Sequence, residues 1–99
     1  KQALTERQRE AEEQIRLAVK QAWLELQVAE NSIAAAEQGR QQARENWRIT
    51  DLQYQNQVIT STEVLDSRTL LSQAESNYYR ALYGYRIAMA RLERALGRK

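Results

Sequence analysis

Apolar and small residues recur through the first half of the chain at alternating spacings of four and three: Ile15, Val19, Ala22, Leu26, Ala29, Ile33, Ala36, Ala43, Trp47, Thr50 and Tyr54, with Arg40 holding one slot of the series. An unbroken 4-3 pattern of this length predicts one long helix that lays a narrow seam against another helix. One of the two seam positions is always small (Ala22, Ala29, Ala36, Ala43, Thr50) and the other mostly large (Val19, Leu26, Ile33, Trp47, Tyr54), so the two backbones can approach closely. The second half repeats the design, with Val64, Leu71, Tyr78, Tyr85 and Leu92 at the large position and Ser67, Ala74, Ala81, Ala88 and Ala95 at the small one. Arg40 is the exception, and its long side chain must reach water or find a carboxylate.

Between the halves the helical pattern fails over Tyr54 to Asp66. Thr60-Ser61-Thr62-Glu63 is a capping box, in which the Thr60 hydroxyl takes the Glu63 amide and the Glu63 carboxylate reaches back to the Thr60 amide. Ile59 and Val64 stand where a hydrophobic staple would set the angle of the new helix, and Asn56 is suited to the left-handed conformation that ends a preceding one. The whole chain, 1–99, is therefore expected to be all-α, a single antiparallel coiled-coil hairpin. Its first helix would run from about 3 to 55, its tip over 56–60 and its second helix from about 61 to 96. Residues whose numbers add to about 117, give or take one turn, should face each other, for example Leu26 with Leu92 and Trp47 with Leu71. At about 1.5 Å per residue the first helix is close to 80 Å long and the second about 54 Å, so residues before about Val19 lack a partner within the chain, although Ala11 and Ile15 continue the seam.

A second apolar face accompanies the first. Leu17, Leu24, Val28, Ala35, Ile49 and Leu52 lie roughly opposite the seam of the first helix, while Leu82, Met89 and Leu96 widen the stripe of the second and Tyr83 and Ile87 occupy a further side. Polar residues separate the faces, Lys20, Gln27, Gln41 and Arg48 along one border and Glu25, Ser32, Asn46 and Gln53 along the other. A two-helix hairpin has no use for a second face. Helices with two apolar stripes suit a wall in which each touches a neighbour on both sides, or a bundle of three or four helices with a filled core.

Composition agrees with long helices: 42% hydrophobic but only 7% aromatic, no proline and three glycines. Gly39 and Gly84 fall in mid-helix, and Gly97 follows Leu96 as a C-terminal stop, so they form no phosphate loop. The net charge of +2 comes from 15 basic and 13 acidic residues mixed along the chain, which gives no nucleic-acid footprint. From Arg80 to Lys99 six basic residues stand against Glu93 alone, as suits a helix C-terminus. With neither His nor Cys, the metal and nucleophile constellations built on them are excluded, and no cofactor or enzymatic activity is expected. Lys1 to Leu4 carries no cap, turn or signal-peptide pattern, and the expectation is a piece of something larger.

At the tip the residues carry a family resemblance. IRLAVKQAWLELQVAENSIAAAEQG, then YQNQVITSTEVLDSRTLLSQAESNYYRAL, then RLERALG, together roughly 12–97, resemble the second periplasmic helical hairpin of TolC-type outer-membrane efflux channels. Members typically read Tyr, two residues, Gly, a few residues, then an acidic residue and Val-Leu-Asp. Tyr54, Glu63, Val64, Leu65 and Asp66 fall in register, as does the Ala-Leu-Gly ending at 95–97.

The resemblance implies a homotrimeric channel in the outer membrane of a Gram-negative bacterium, with an α-helical barrel of such hairpins crossing the periplasm. In that family drugs, toxic compounds or proteins leave through tripartite efflux or type I secretion systems. The hairpin tips form the channel entrance and dock a periplasmic adaptor, the membrane fusion protein, which joins the channel to an inner-membrane pump. By resemblance Tyr54 matches an entrance tyrosine that ties neighbouring hairpins together, and Asp66 an aspartate whose three copies form a cation-attracting ring. Asn56, Gln57, Val58, Ile59 and Thr60 take the adaptor-docking place, and Leu17, Leu24, Val28, Ile49, Leu82 and Met89 the interface with neighbouring hairpins.

Two positions depart from the family pattern: Gln57 stands where the tip glycine is usual, and Ile59 where a basic residue joins the entrance network. The alternative is a stand-alone antiparallel coiled-coil module such as an adaptor hairpin, whose tip would carry Arg-Leu and later Ser; this tip lacks that arrangement. In isolation the second face predicts self-association.

Overall fold

The computed structural model describes residues 2–97, which form two helices, α1 (Gln2–Gln55) and α2 (Ser61–Ala95), and no strand. They pack antiparallel into a rod of 83 × 19 × 15 Å. The long dimension is that of α1 alone, so the seam determines the thickness of the molecule and α1 its length.

The seam is where the 4-3 pattern places it. Ala22 and Leu26 on α1 are buried, as are Val64, Ser67, Leu71 and Ala88 on α2, and the other seam positions from Val19 to Thr50 and from Ala74 to Ala95 are half-buried. No side chain is fully enclosed, because each helix shields the other on one side only. Contacts across the seam fix the register. Thr50 meets Ser67, Arg40 meets Tyr78 and Glu25 meets Arg91, pairs whose numbers add to 117, 118 and 116. Tyr54 does not continue the seam into the tip: it is 45% exposed, and the packed layers end at Thr50.

One layer of the seam is polar. Thr50 Oγ1 lies 2.9 Å from the Asn46 carbonyl oxygen and 2.9 Å from Ser67 Oγ, and Asn46 Nδ2 donates to Ser67 Oγ at 3.0 Å. With the single Thr50 proton given to the backbone carbonyl, the Ser67 hydroxyl donates to Thr50 and accepts from Asn46. Every group of the layer is then satisfied although Ser67 is only 3% exposed.

Arg40 finds its carboxylate. Its guanidinium bonds Glu37 at 2.6 Å, one turn back, and lies 4.0 Å from the centroid of the Tyr78 ring. This fills a large seam position with a cation over an aromatic face. Its Nε is buried without a hydrogen-bond partner.

The tip is closed by backbone bonds. Gln57 N–H donates to the Tyr54 carbonyl at 3.0 Å and Val58 N–H to the Gln53 carbonyl at 2.8 Å, the paired bonds of a Schellman motif. The residue that turns left-handed is Gln57, with φ of 62°, and not Asn56. Asn56 still donates helically, to Leu52 at 3.0 Å, so the reversal falls one residue later than side-chain preference suggested. The new helix starts on Thr60, whose Oγ1 accepts from Glu63 N–H at 3.3 Å; this is the half of the capping box that forms. Val64 is buried and Ile59 half-buried beside it. At the other end Gly97 takes φ of 77° and its N–H bonds the Arg94 carbonyl at 3.0 Å, the stop expected there.

Candidate functional site

The two surfaces named from the sequence, the tip and the second apolar face, both stand open. At the tip, Asn56, Gln57, Val58 and Thr60 are exposed, with Ile59 half-buried beneath them. Val58, at 69% exposure, is the most exposed of the large hydrophobic residues, because the Schellman bond to Gln53 uses its backbone and leaves its side chain outward. A shallow cleft of about 490 Å³ opens beside it, lined by Tyr54, Gln55, Gln57, Ile59, Thr60 and Ser61. Tyr54 thus borders the docking residues. Asp66 is exposed one and a half turns into α2, away from the cleft.

The second face is real as a surface. Leu17, Leu24, Val28, Ile49 and Leu52 are all exposed, Val28 at 65%, whereas Leu82 and Met89 are half-buried at the edge of the seam. Midway along the rod this face deepens into an apolar groove of about 490 Å³ between the helices, with Leu24, Val28 and Ala29 on one side and Ala81, Gly84, Ile87 and Ala88 on the other. A smaller groove of about 290 Å³, lined by Ala18, Gln21, Ala22, Arg94 and Ala95, continues it, and the two share Glu25 and Arg91. These two residues reach across at 3.5 Å with most of their side chains in water. Gly84 needs explanation. A Cβ added there would meet nothing within 4 Å, so packing inside the hairpin does not require the glycine, yet a mid-helix glycine costs about 1 kcal/mol relative to alanine.

Among the described residues, perturbed ionisation is found in two i,i+3 pairs of α1. The hydrogen bond that Arg40 donates to Glu37 holds Arg40 above its ordinary value, and the hydrogen bond from Arg48 (Nη2 to Oε1, 2.6 Å) holds Glu45 below the usual carboxylate range while raising Arg48 in turn. Neither pair lines the tip cleft or the grooves of the second face. Among the described residues no group of His, Cys, Asp or Glu is placed to hold a metal ion, and no helix is long and apolar enough to cross a membrane.

Comparison with protein families, with curated proteins and with solved structures finds no match to this chain. Its surfaces alone therefore carry the functional reading. Sequence reasoning missed two features: the groove floor at Gly84, which follows from the level of α2 against α1, and the part played by Asn46, whose border position looks solvated but which reaches Ser67.

Proposed function

We propose that this chain is the periplasmic helical hairpin of a TolC-type outer-membrane export channel, acting by assembly and not by chemistry. The observation that carries the reading is a hairpin whose seam is complete in itself while a second apolar face stays uncovered along its length, from Leu17 to Leu52 on α1. A helix in the wall of a barrel needs that pair of stripes, one for each neighbour. The tip supports the same reading. The left-handed residue falls at Gln57, the position where the family pattern has glycine, and Val58 is presented outward where an adaptor would dock. In this reading three copies of the channel bring Tyr54 to the entrance and Asp66 to a cation-attracting ring, and substrates leave through the lumen of the barrel.

The test is a chimera in which this hairpin replaces the second periplasmic hairpin of a TolC-type channel, in cells lacking their own. Restored resistance to exported compounds, lost again on Val58→Asp, is expected. A chimera that reaches the outer membrane as a trimer but leaves the cells sensitive would refute the reading. The completeness of the seam also fits a self-contained coiled-coil module, and that account takes over if the chimera fails in this way.

A further inference from the structure

We infer that the apolar groove between the helices binds a single anionic amphiphile, a long-chain carboxylate, with its alkyl chain along Leu24, Val28, Gly84 and Ile87 and its carboxylate on Arg91. The groove has the shape for a narrow chain. Ala29, Ala81, Gly84 and Ala88 make its floor, small residues throughout, while Leu24 and Val28 on α1 and Ile87 on α2 stand as exposed walls. Gly84 is the informative position, because the hairpin carries the helix cost of a glycine there although a Cβ would meet nothing within 4 Å. A larger side chain would occupy the groove itself. On α2 the lining runs from Ala81 to Arg91, about 15 Å of helix. That is the extended length of an alkyl chain of about twelve carbons at ordinary bond lengths. At heptad spacing beyond the groove the same lines carry Gln38 and Gln42 on α1 and Asn77 and Arg80 on α2, so the apolar stretch is bounded at about that length. Its volume of about 490 Å³ falls in the range of small-molecule sites.

Charge sets the orientation. Among the described residues that line the groove only Glu25 and Arg91 are charged, and both stand at the same end. Their contact is 3.5 Å long and more than half of each side chain is exposed, so the pair is weak. The adjoining smaller groove adds Arg94, which makes two cations against one anion where the apolar length stops. A carboxylate arriving there draws Arg91 away from Glu25 at little cost and meets a planar, two-pronged donor beside an apolar surface. At the far end Ser32 Oγ donates to the Val28 carbonyl at 3.0 Å, so that hydroxyl proton is already committed. The site belongs to the hairpin itself and is independent of the channel reading.

The test is calorimetric titration of the chain with laurate at about pH 8, where a carboxyl is ionised, below the concentration at which laurate forms micelles. One molecule per chain is expected. Octanoate, with a shorter chain, should bind at least about tenfold more weakly, and dodecyltrimethylammonium, with a chain of the same length and the opposite charge, weaker by about the same factor. Arg91→Gln and Arg94→Gln together should weaken laurate binding about tenfold, whereas Glu25→Gln, which removes the competing anion, should tighten it several-fold. Gly84→Leu should keep full helicity, since its Cβ meets nothing within the hairpin, and abolish binding by filling the groove. Absence of saturable binding, equal affinity for the cationic amphiphile, or unaltered affinity in Gly84→Leu would each overturn the inference. Flotation of the chain with phosphatidylglycerol vesicles, without saturable binding of free laurate, would overturn it in favour of a membrane surface.

Discussion

Gln57 is held left-handed by two backbone hydrogen bonds and pays for it in strain, since a side chain there crowds its own carbonyl. Replacing it with glycine is expected to stabilise the hairpin by about 1 kcal/mol, seen as a rise of several degrees in the thermal midpoint followed by circular dichroism. The same change at Asn56, whose N–H still bonds Leu52 and whose φ is not positive, should lower the midpoint, so the pair of variants locates the reversal. Ser67 presents the opposite case, a buried polar group fully used. Ser67→Val removes the acceptor of Asn46 and the partner of Thr50, and urea titration should show a loss of about 1–3 kcal/mol even though the packed volume grows. At Arg40 the buried Nε without a partner leaves room for improvement, and Arg40→Met should fall within about 1 kcal/mol of the parent.

At the scale of the element, α1 carries i,i+3 pairs that support it locally. The Glu45 carboxylate is held below its ordinary value by Arg48, so the folded chain keeps it ionised where the unfolded chain would protonate it. That contribution is fully present above the ordinary carboxylate range and is lost as the pH falls through the lowered value. Both partners are more than half exposed, so the effect is small. Unfolding midpoints in urea should decline on acidification below about pH 4, and more shallowly for Glu45→Gln.

The helices themselves were legible in the sequence because a 3.5-residue period sustained from Val19 to Thr50 admits one arrangement, and because the chain between Gln55 and Ser61 is too short for anything but a reversal. The side chains that mattered at the boundaries were less so. Asn56 has the better intrinsic preference for a left-handed turn, but hydrogen-bond closure onto Gln53 and Tyr54 selects Gln57. Asn46 sits in a polar border, and only the opposing Ser67 makes it part of the interior. The tip residues and the second face were named from sequence; the groove between helices was not, since its floor depends on which turn of α2 lies beside which turn of α1.

For the whole molecule, length exceeds width more than fourfold, and only part of that length is doubled. The described turns of α1 before Val19 are exposed on every side, and a helix of that size is marginal in water by itself. In dilute solution their amides should exchange with deuterium far faster than those between Ala22 and Thr50.

The two helices are joined covalently at one end only, so direction matters when force is applied. Drawn apart at its two chain ends, the hairpin peels one layer at a time from the Ala22–Ala95 side toward the tip, at a low and nearly constant load. The Asn46–Thr50–Ser67 layer is met late, with only the buried Val64 between it and the turn. Held instead by one end and the tip, the load runs along a single helix, and the contacts between the helices carry none of it until that helix yields. The rod is therefore mechanically anisotropic, stiff when loaded along its axis and easily unzipped from its open end.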